Sequence, residues 1–284
     1  MNFANKYYEF YDNKINPRVL YDIFTVVYGV RKLGLLHIPI DSHKFIQDQL
    51  NDFKLFEIAR KYLIVSKDKF SRESLLKDAV NIDESTHIEI WFSLYKDIDE
   101  NPFKNPGKSL KYPECCIKTY ETNSGLSFFY NNYLFSNETR HFILNRLVVL
   151  FNKDLLMPDF FPCSLSCKSS IKFIEDCHSV VLDKFPTDIV ENVKKIMQVP
   201  LLLWGDNLIY IPNWELISND LYLHINQDVK YQKIENICKI SENNLKLIED
   251  KSPKLLKFNH LLNIENIVII FSDNSQQVFK IKYI

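Results

Sequence analysis

Glycine is almost absent from this chain. Five occur in 284 residues, at Gly29, Gly34, Gly107, Gly125 and Gly205. The closest two are five positions apart, so no G-x-G-x-x-G turn exists to bring backbone against a pyrophosphate. Gly29 and Gly34 have the spacing of the two glycines in G-x-x-x-x-G-K-[ST], the loop whose N–H groups cradle phosphates. Leu35 and Leu36 stand where that loop requires Lys and Ser/Thr. The nucleophile elbow G-x-S-x-G fails as well, because Phe128 and Phe129 follow Gly125-Leu126-Ser127. Motif-built P-loop NTPases, dinucleotide-binding dehydrogenases and α/β-hydrolases are excluded. Nucleotide sites built in other ways are not.

The rest of the composition is that of a globular chain. With 46% hydrophobic residues, 21 of them Phe and 15 Tyr, there is ample surface to bury. The length fits one large domain or two modest ones. A balance of 35 basic against 36 acidic residues argues against bare nucleic acid as the main partner. Residues 147–151 and 267–271 are among the longest apolar runs, far short of the roughly 18 residues of a membrane span. The opening MNFANKYYEFYDNK lacks the apolar core of a signal peptide, so the cytoplasm is the expected compartment.

Asn16 and Pro17 predict a helix start, with Asn16 as cap and Pro17 at the first helical position. Val19, Leu20, Ile23, Val26, Val27 and Val30 recur at helical period, and Gly34 reads as the stop. A second helix is expected over residues 42–55. Residues 62–65 and 87–94 read as strands, the latter with Ile88, Ile90 and Phe92 on one face. A helical stretch at 71–80 lies between them, which makes this region a candidate β-α-β unit. Residues 97–111 contain Pro102, Pro106 and Gly107 and read as a loop. Helices are then expected over 113–120, 140–151, 164–184 and 187–197, with Pro158, Pro162 and Pro186 as breakers. Further on, 201–204 and 208–211 flank Gly205-Asp206-Asn207 as a hairpin, and 267–271 with 278–284 form a second candidate. Residues 234–248 between them read as a helix. The sum is an α+β fold: a small α/β part over 1–110, a helical middle over 111–198 and a β-containing part over 199–284. The three parts are also compatible with one domain.

Six cysteines occur, Cys115, Cys116, Cys163, Cys167, Cys177 and Cys238. A reducing compartment disfavours structural disulfides, so clustered cysteines point to metal or redox chemistry. Four fall into two motifs, Tyr112-Pro113-Glu114-Cys115-Cys116 and Pro162-Cys163-Ser164-Leu165-Ser166-Cys167. Pro113 suits the first position of a helix, which puts Cys115 and Cys116 in its first turn. Ser164 suits an N-cap, which leaves Cys163 just outside a helix and Cys167 in its first turn. Both pairs then sit at the positive end of a helix dipole, where a thiolate is favoured. If the two starts converge, four sulfurs meet.

Four thiolates suit tetrahedral zinc or an iron–sulfur cluster. Neither motif has the C-x-x-C spacing of zinc ribbons, and adjacent Cys115 and Cys116 are an awkward pair for one ion. A cluster held by three cysteines with the fourth nearby fits as well, and four buried apolar thiols are the plainer alternative. Cys177 and His178 lie ten and eleven residues beyond Cys167, about 15 Å along the same expected helix, and cannot share its centre. His178, in line with Cys167, Ile171 and Ile174, reads as core, as does isolated Cys238.

Weaker candidates surround these. His37, His43, His87, His141, His224 and His260 include no H-x-x-x-H pair. Glu114 is an acid or base, or more simply a solvated acid at a helix start. Arg140 and His141 meet an anion or lie on an exposed face. Ser169 and Ser170 are ligand donors or polar filler, and Tyr112, Phe160 and Phe161 wall the cysteines or belong to the core.

The Y-P-E-C-C and P-C-S-x-x-C segments together resemble the domain of unknown function 483 family, over roughly residues 106–181. The resemblance implies that the four cysteines form one site; it brings no activity with it. Three functions follow. The first is a metalloenzyme holding an iron–sulfur cluster for redox or sulfur-transfer chemistry, with Cys115, Cys116, Cys163 and Cys167 as ligands or one of them a free nucleophile. The second is a structural-zinc module whose β-containing tail binds a protein or peptide. The third is a metal-free thiol enzyme with one cysteine activated at a helix start. The expected partner is a small molecule or peptide, not a membrane or nucleic acid.

Overall fold

The computed structural model describes residues 3–65, 76–78, 86–98, 101–123, 125–152, 155–210, 214–217, 220–224, 230–250, 254–256, 258, 269–270 and 278–281. The chain forms two compact units. Met1–Gly125, Lys153–Cys163 and Cys167–Val193 make the first, and Leu126–Asn152, Ser164–Ser166 and Lys194–Ile284 the second.

In the first unit, α1 (Phe3–Asp12) leads to α2 (Pro17–Val27), where the Asn16 side chain accepts from the Arg18 N–H at 2.8 Å and Pro17 opens the helix. This is the start the sequence predicts, but the stop comes earlier. Gly29 turns the chain at φ 74°, and Gly34 falls inside β1 (Leu33–Pro39). Packing explains Gly34: a Cβ there would lie 2.1 Å from Phe92 Cζ. Next come α3 (His43–Asp52), β2 (Phe56–Val65), β3 (Leu76–Asp78) and β4 (His87–Ser93), in a sheet of order β1-β4-β2-β3.

Every pairing in this sheet is antiparallel, so the candidate β-α-β unit, which needs parallel strands, does not form. Residues 76–78, expected to be helical, pair with Leu63–Val65 instead; the remainder of 71–80 lies outside the described residues. A short apolar run cannot distinguish helix from strand by period alone, and here cross-strand pairing decides. Ile88, Ile90 and Phe92 do share one buried face of β4, in register with Ile38, Leu36 and Gly34. On the opposite face, His37 Nε2 lies 3.0 Å from Glu89 Oε2, and Trp91 Nε1 donates to Glu89 Oε1.

Glycine scarcity shows in how helices end. Lys14, after α1, and Lys54, after α3, adopt the left-handed φ of 56° and 57°. Both close a Schellman turn: Lys14 and Ile15 N–H donate to the Tyr11 and Phe10 carbonyls, and Lys54 and Leu55 N–H to Asn51 and Leu50. Lys111 repeats the pattern after α4 (Pro106–Ser109), a single turn inside the expected 97–111 loop. A side chain at this φ costs about 1–2 kcal/mol, part of which glycine returns as unfolded-chain entropy. Lys14→Gly and Lys54→Gly, both at exposed positions, should therefore each stabilise the protein by about 0.5–1 kcal/mol in chemical denaturation. A loss of stability at both would contradict the strain argument.

The first unit continues with α5 (Glu114–Thr122). In the second unit lie α6 (Leu126–Phe135) and two 3-10 turns, Phe142–Leu144 and Arg146–Leu150, in place of the single helix expected over 140–151. Asn145 interrupts that helix. Its buried side chain accepts from the Val148 N–H and donates to the Met197 carbonyl, competing with the backbone for its own partners. The first unit resumes with α7 (Lys168–Val181) and the start of α8 (Thr187–Gln198).

The remaining elements are β5 (Leu201–Trp204), β6 (Asn207–Tyr210), β7 (Trp214–Ile217), β8 (Asp220–His224), β9 (Lys230–Lys233), α9 (Glu242–Glu249), β10 (Lys254–Leu256), β11 (Ile269–Ile270) and β12 (Val278–Ile281). They give two antiparallel sheets of order β10-β5-β6-β9 and β11-β12-β8-β7. The first expected hairpin is present; of the second, Ile269 and Ile270 pair with Ile281 and Lys280, while residues 267–268, 271–277 and 282–284 lie outside the described residues. The first closes through two residues, not three, because Asn207 already pairs with Trp204 and Gly205 supplies the positive φ. Where a helix was expected over 234–248, a 3-10 turn at Ile234–Asn236 precedes α9. Helices packed with antiparallel sheets make this an α+β fold, as expected. Among the described residues no helix is long and apolar enough to cross a membrane.

Candidate metal centre

Aromatic packing in the first unit brings the two cysteine motifs together. Tyr112 stacks on Phe160 at 5.1 Å, Phe173 meets both rings edge-on, and Tyr112 Oη donates to the Asp159 carbonyl at 2.8 Å. These contacts tie the residue before Pro113 to the strand of chain that leads into Cys163. Pro113 is the N-cap of α5, one position earlier than predicted, and Cys115 and Cys116 occupy the first turn as expected. Ser164 does not cap the second helix. Cys167 is itself the N-cap of α7, its carbonyl accepting from the Ile171 N–H. The Ser164 hydroxyl pairs with Ser166, and the Leu165 carbonyl accepts from the His141 N–H, so these residues are engaged outside any helix.

The four sulfurs meet. Cys115 Sγ lies 3.6 Å from Cys167 Sγ and 3.8 Å from Cys116 Sγ, and Cys116 Sγ lies 3.9 Å from Cys167 Sγ. With Cys163 included, all four are within 4.8 Å of one another, and none is in a disulfide. The quartet can hold a metal ion. Among the described residues it is the one group of His, Cys, Asp and Glu with that capacity.

The family model described as a protein of unknown function, DUF483, matches residues 64–196. That segment belongs to the family. No curated protein and no solved structure matches the chain. The DUF483 segment holds both cysteine motifs and extends beyond residues 106–181 on both sides, from β2 into α8.

Within the DUF483 segment the four thiols are unequal. Cys116 is 2% exposed, Cys163 and Cys167 are half-buried, and Cys115 is exposed. The Cys163 N–H donates to Cys116 Sγ at 3.3 Å, and Ser170 Oγ, also buried, lies 3.0 Å from the same sulfur. Hydrogen bonding from the Cys163 thiol, with Ser170 and the Cys163 N–H, outweighs burial and brings the Cys116 thiol down to about 5. The same bond to Cys116 pushes the Cys163 thiol up, and burial adds to it. Although the residue is exposed, partial burial of its sulfur and the neighbouring negative Cys116 push the Cys115 thiol up to about 11. The first negative charge of the quartet therefore sits on Cys116. A bound cation would favour the rest.

The other candidates separate cleanly. Cys177 and Cys238 are buried core thiols. His178 Nε2 donates to the Leu156 carbonyl and its ring meets Tyr21 edge-on, so it is a core histidine. Arg140 is buried, not exposed: it donates to the Tyr133 and Ser136 carbonyls at the C-terminal end of α6, and the charge of Glu138 acts on it. Glu114 is exposed at the start of α5. Of the two serines, Ser169 is exposed and Ser170 supports Cys116. The His37–Glu89 pair had no sequence signal, because residues 33–39 gave no indication of a strand.

Proposed function

We propose that the chain is a cysteine-ligated metalloprotein in which Cys115, Cys116, Cys163 and Cys167 hold one tetrahedral ion, zinc. The mutual spacing of the sulfurs carries this reading. Sulfurs about 2.3 Å from one tetrahedral zinc lie about 3.8 Å apart; those of Cys115, Cys116 and Cys167 are 3.6, 3.8 and 3.9 Å apart, and Cys163 Sγ is within 4.8 Å of each. In an iron–sulfur cluster the four cysteines are divided among two or more irons and do not all edge one tetrahedron, so a quartet this compact favours a single ion. The ion would tie the start of α5 to the start of α7, and its binding energy would contribute to folding. The metal-free thiol reading has less support, since the sulfur most inclined to be a thiolate, Cys116, is the buried one.

Anaerobic purification followed by metal analysis and a visible spectrum on one sample tests this. About one zinc per chain and no colour is the expected result. Iron with sulfide and broad visible absorbance would overturn it in favour of an iron–sulfur centre and redox or sulfur-transfer chemistry. Four freely titratable motif thiols and no metal would remove both.

A further inference from the structure

The four sulfurs differ in more than exposure, and that difference bears on what the proposed centre reacts with. Cys116 accepts hydrogen bonds from a backbone N–H and is approached by the Ser170 hydroxyl. Such bonds draw electron density from a thiolate and make it a poorer nucleophile. The contacts described at Cys115 Sγ are both to sulfur, Cys167 at 3.6 Å and Cys116 at 3.8 Å. It is also the one exposed member of the quartet, in the first turn of α5. An electrophile arriving from solvent therefore meets Cys115 first.

Cys167 Sγ, at the start of a different helix and half-buried, lies 3.6 Å from Cys115 Sγ. Cys116 is almost as near, but it is the adjacent residue in a helical turn, and a bridge between adjacent helical cysteines would strain both backbone and disulfide. Closing the Cys115–Cys167 gap to the ~2.05 Å of a disulfide requires movement of two side chains at helix starts.

Resting on the zinc reading above, we propose that Cys115 is the reactive thiolate of the centre, that hydroperoxides are its substrates, and that oxidation closes a Cys115–Cys167 disulfide and frees the ion. In the first step Cys115 Sγ attacks the terminal peroxide oxygen. An S–O bond forms, the O–O bond breaks, and the alkoxide or hydroxide that leaves takes a proton from water. Cys115 is then a sulfenic acid. In the second step the Cys167 thiolate attacks Cys115 Sγ, the S–S bond forms, and hydroxide leaves and is protonated. Two thiolates have lost two electrons, and one hydroperoxide has become an alcohol and a water, with two protons consumed. Cys116 and Cys163 alone remain as ligands, too few for a tetrahedral ion.

The experiment uses the full chain, analysed for metal and then treated with one equivalent of hydrogen peroxide. Zinc release is followed with a chromogenic chelator, and the first disulfide is mapped by peptide mass spectrometry. The expected result is a Cys115–Cys167 bond that appears in step with zinc release. Cys115→Ser should slow that release by about tenfold or more. Cys167→Ser should leave a sulfenic acid on Cys115, trapped by a cyclic 1,3-diketone. A first disulfide elsewhere, or zinc release with Cys115 unmodified, would overturn the proposal. Metal content before oxidation reports separately on the zinc reading, and the disulfide map decides the pairing whether or not metal is found. If either variant folds poorly, the map of the unaltered chain decides alone.

Discussion

Replacing Cys116 with serine is expected to empty the proposed centre, lowering the melting temperature to that of chelator-treated unaltered protein. Three features make this the most damaging of the four cysteine substitutions. Cys116 is the ligand removed from solvent, so water cannot readily take its place. It lies within 3.9 Å of both Cys115 and Cys167. It is also the sulfur on which the first negative charge settles, at about 5. A serine hydroxyl stays protonated at neutral pH and offers the ion no charge. The Cys163 N–H and the Ser170 hydroxyl would then face a weak acceptor in place of a thiolate. Outer-shell substitutions at metal sites weaken binding by about 10–100-fold, which is the expectation for Ser170→Ala; loss of the ligand itself should exceed it. Metal binding to the folded state alone is linked to folding, so the same order should appear in melts: Cys116→Ser below Ser170→Ala, and both below the unaltered chain. Cys177→Ser and Cys238→Ser should leave metal content unchanged, because those thiols lie apart from the quartet. Full zinc occupancy in Cys116→Ser at unaltered affinity would refute the assignment of this residue as a ligand.

What could be read in advance was local. Asn16-Pro17 states its helix start in two residues, and Ile88, Ile90 and Phe92 state a buried strand face in five. Gly205 marks its turn because it takes a φ of 54° without the strain that a side chain would bring. The first turn of α5 was legible from Pro113 in the same way, and with it the placement of Cys115 and Cys116. What escaped depends on partners distant in sequence. Gly34 looks like a helix stop until Phe92, 58 residues later, occupies the space its Cβ would need. Ser164 looks like a cap, but backbone and side-chain partners elsewhere hold residues 164–166 outside the helix. Ser170 looks like filler until Cys116 arrives beside it. Adjacent Cys115 and Cys116 read as an awkward pair for one ion; in a helical first turn their sulfurs stand 3.8 Å apart, the edge length that the proposed tetrahedral ion would need. The convergence of the two motifs rested on the family resemblance: Tyr112 and Phe160 could be read as walls of the cysteines or as core, but that they stack on each other is not written in either segment alone.

Asp22→Ala is expected to destabilise the first unit by about 3–5 kcal/mol, the loss typical of stranding one member of a buried ion pair. Its partner is Arg31, 2.6 Å from Asp22 Oδ1, with the two residues 4% and 2% exposed. Arg31 Nε also donates to Thr25 Oγ1 at 2.8 Å, and that hydroxyl donates in turn to the Asp22 carbonyl at 2.7 Å. The network joins the last turns of α2 to the residue that enters β1. Burial pushes the Asp22 carboxyl up despite the opposing charges of Arg31 and Arg18, so the pair is held at a desolvation cost. Because folding raises the Asp22 pKa, the cost of its ionisation is absent at acid pH and grows as pH rises through the unfolded and then the folded value. Arg31 has no such escape. It does not lose its proton at any pH the protein survives, and without Asp22 it keeps a buried, uncompensated charge. Asp22→Asn retains an oxygen for Arg31 Nη2 and should lose less than Asp22→Ala. Asp22→Leu combined with Arg31→Met removes both charges and should recover most of the loss, since replacing a whole buried pair by apolar groups is often neutral or stabilising. Urea denaturation of the single and double variants, read as a cycle, measures the coupling. A loss below about 1 kcal/mol for Asp22→Ala would mean that water reaches Arg31 and that the pair is effectively a surface one. The network matters beyond its own residues, because α2 packs against α7, the helix that begins at Cys167. Asp22→Ala should therefore weaken zinc binding more at temperatures near its own melting point than well below it, where folded protein still presents all four sulfurs.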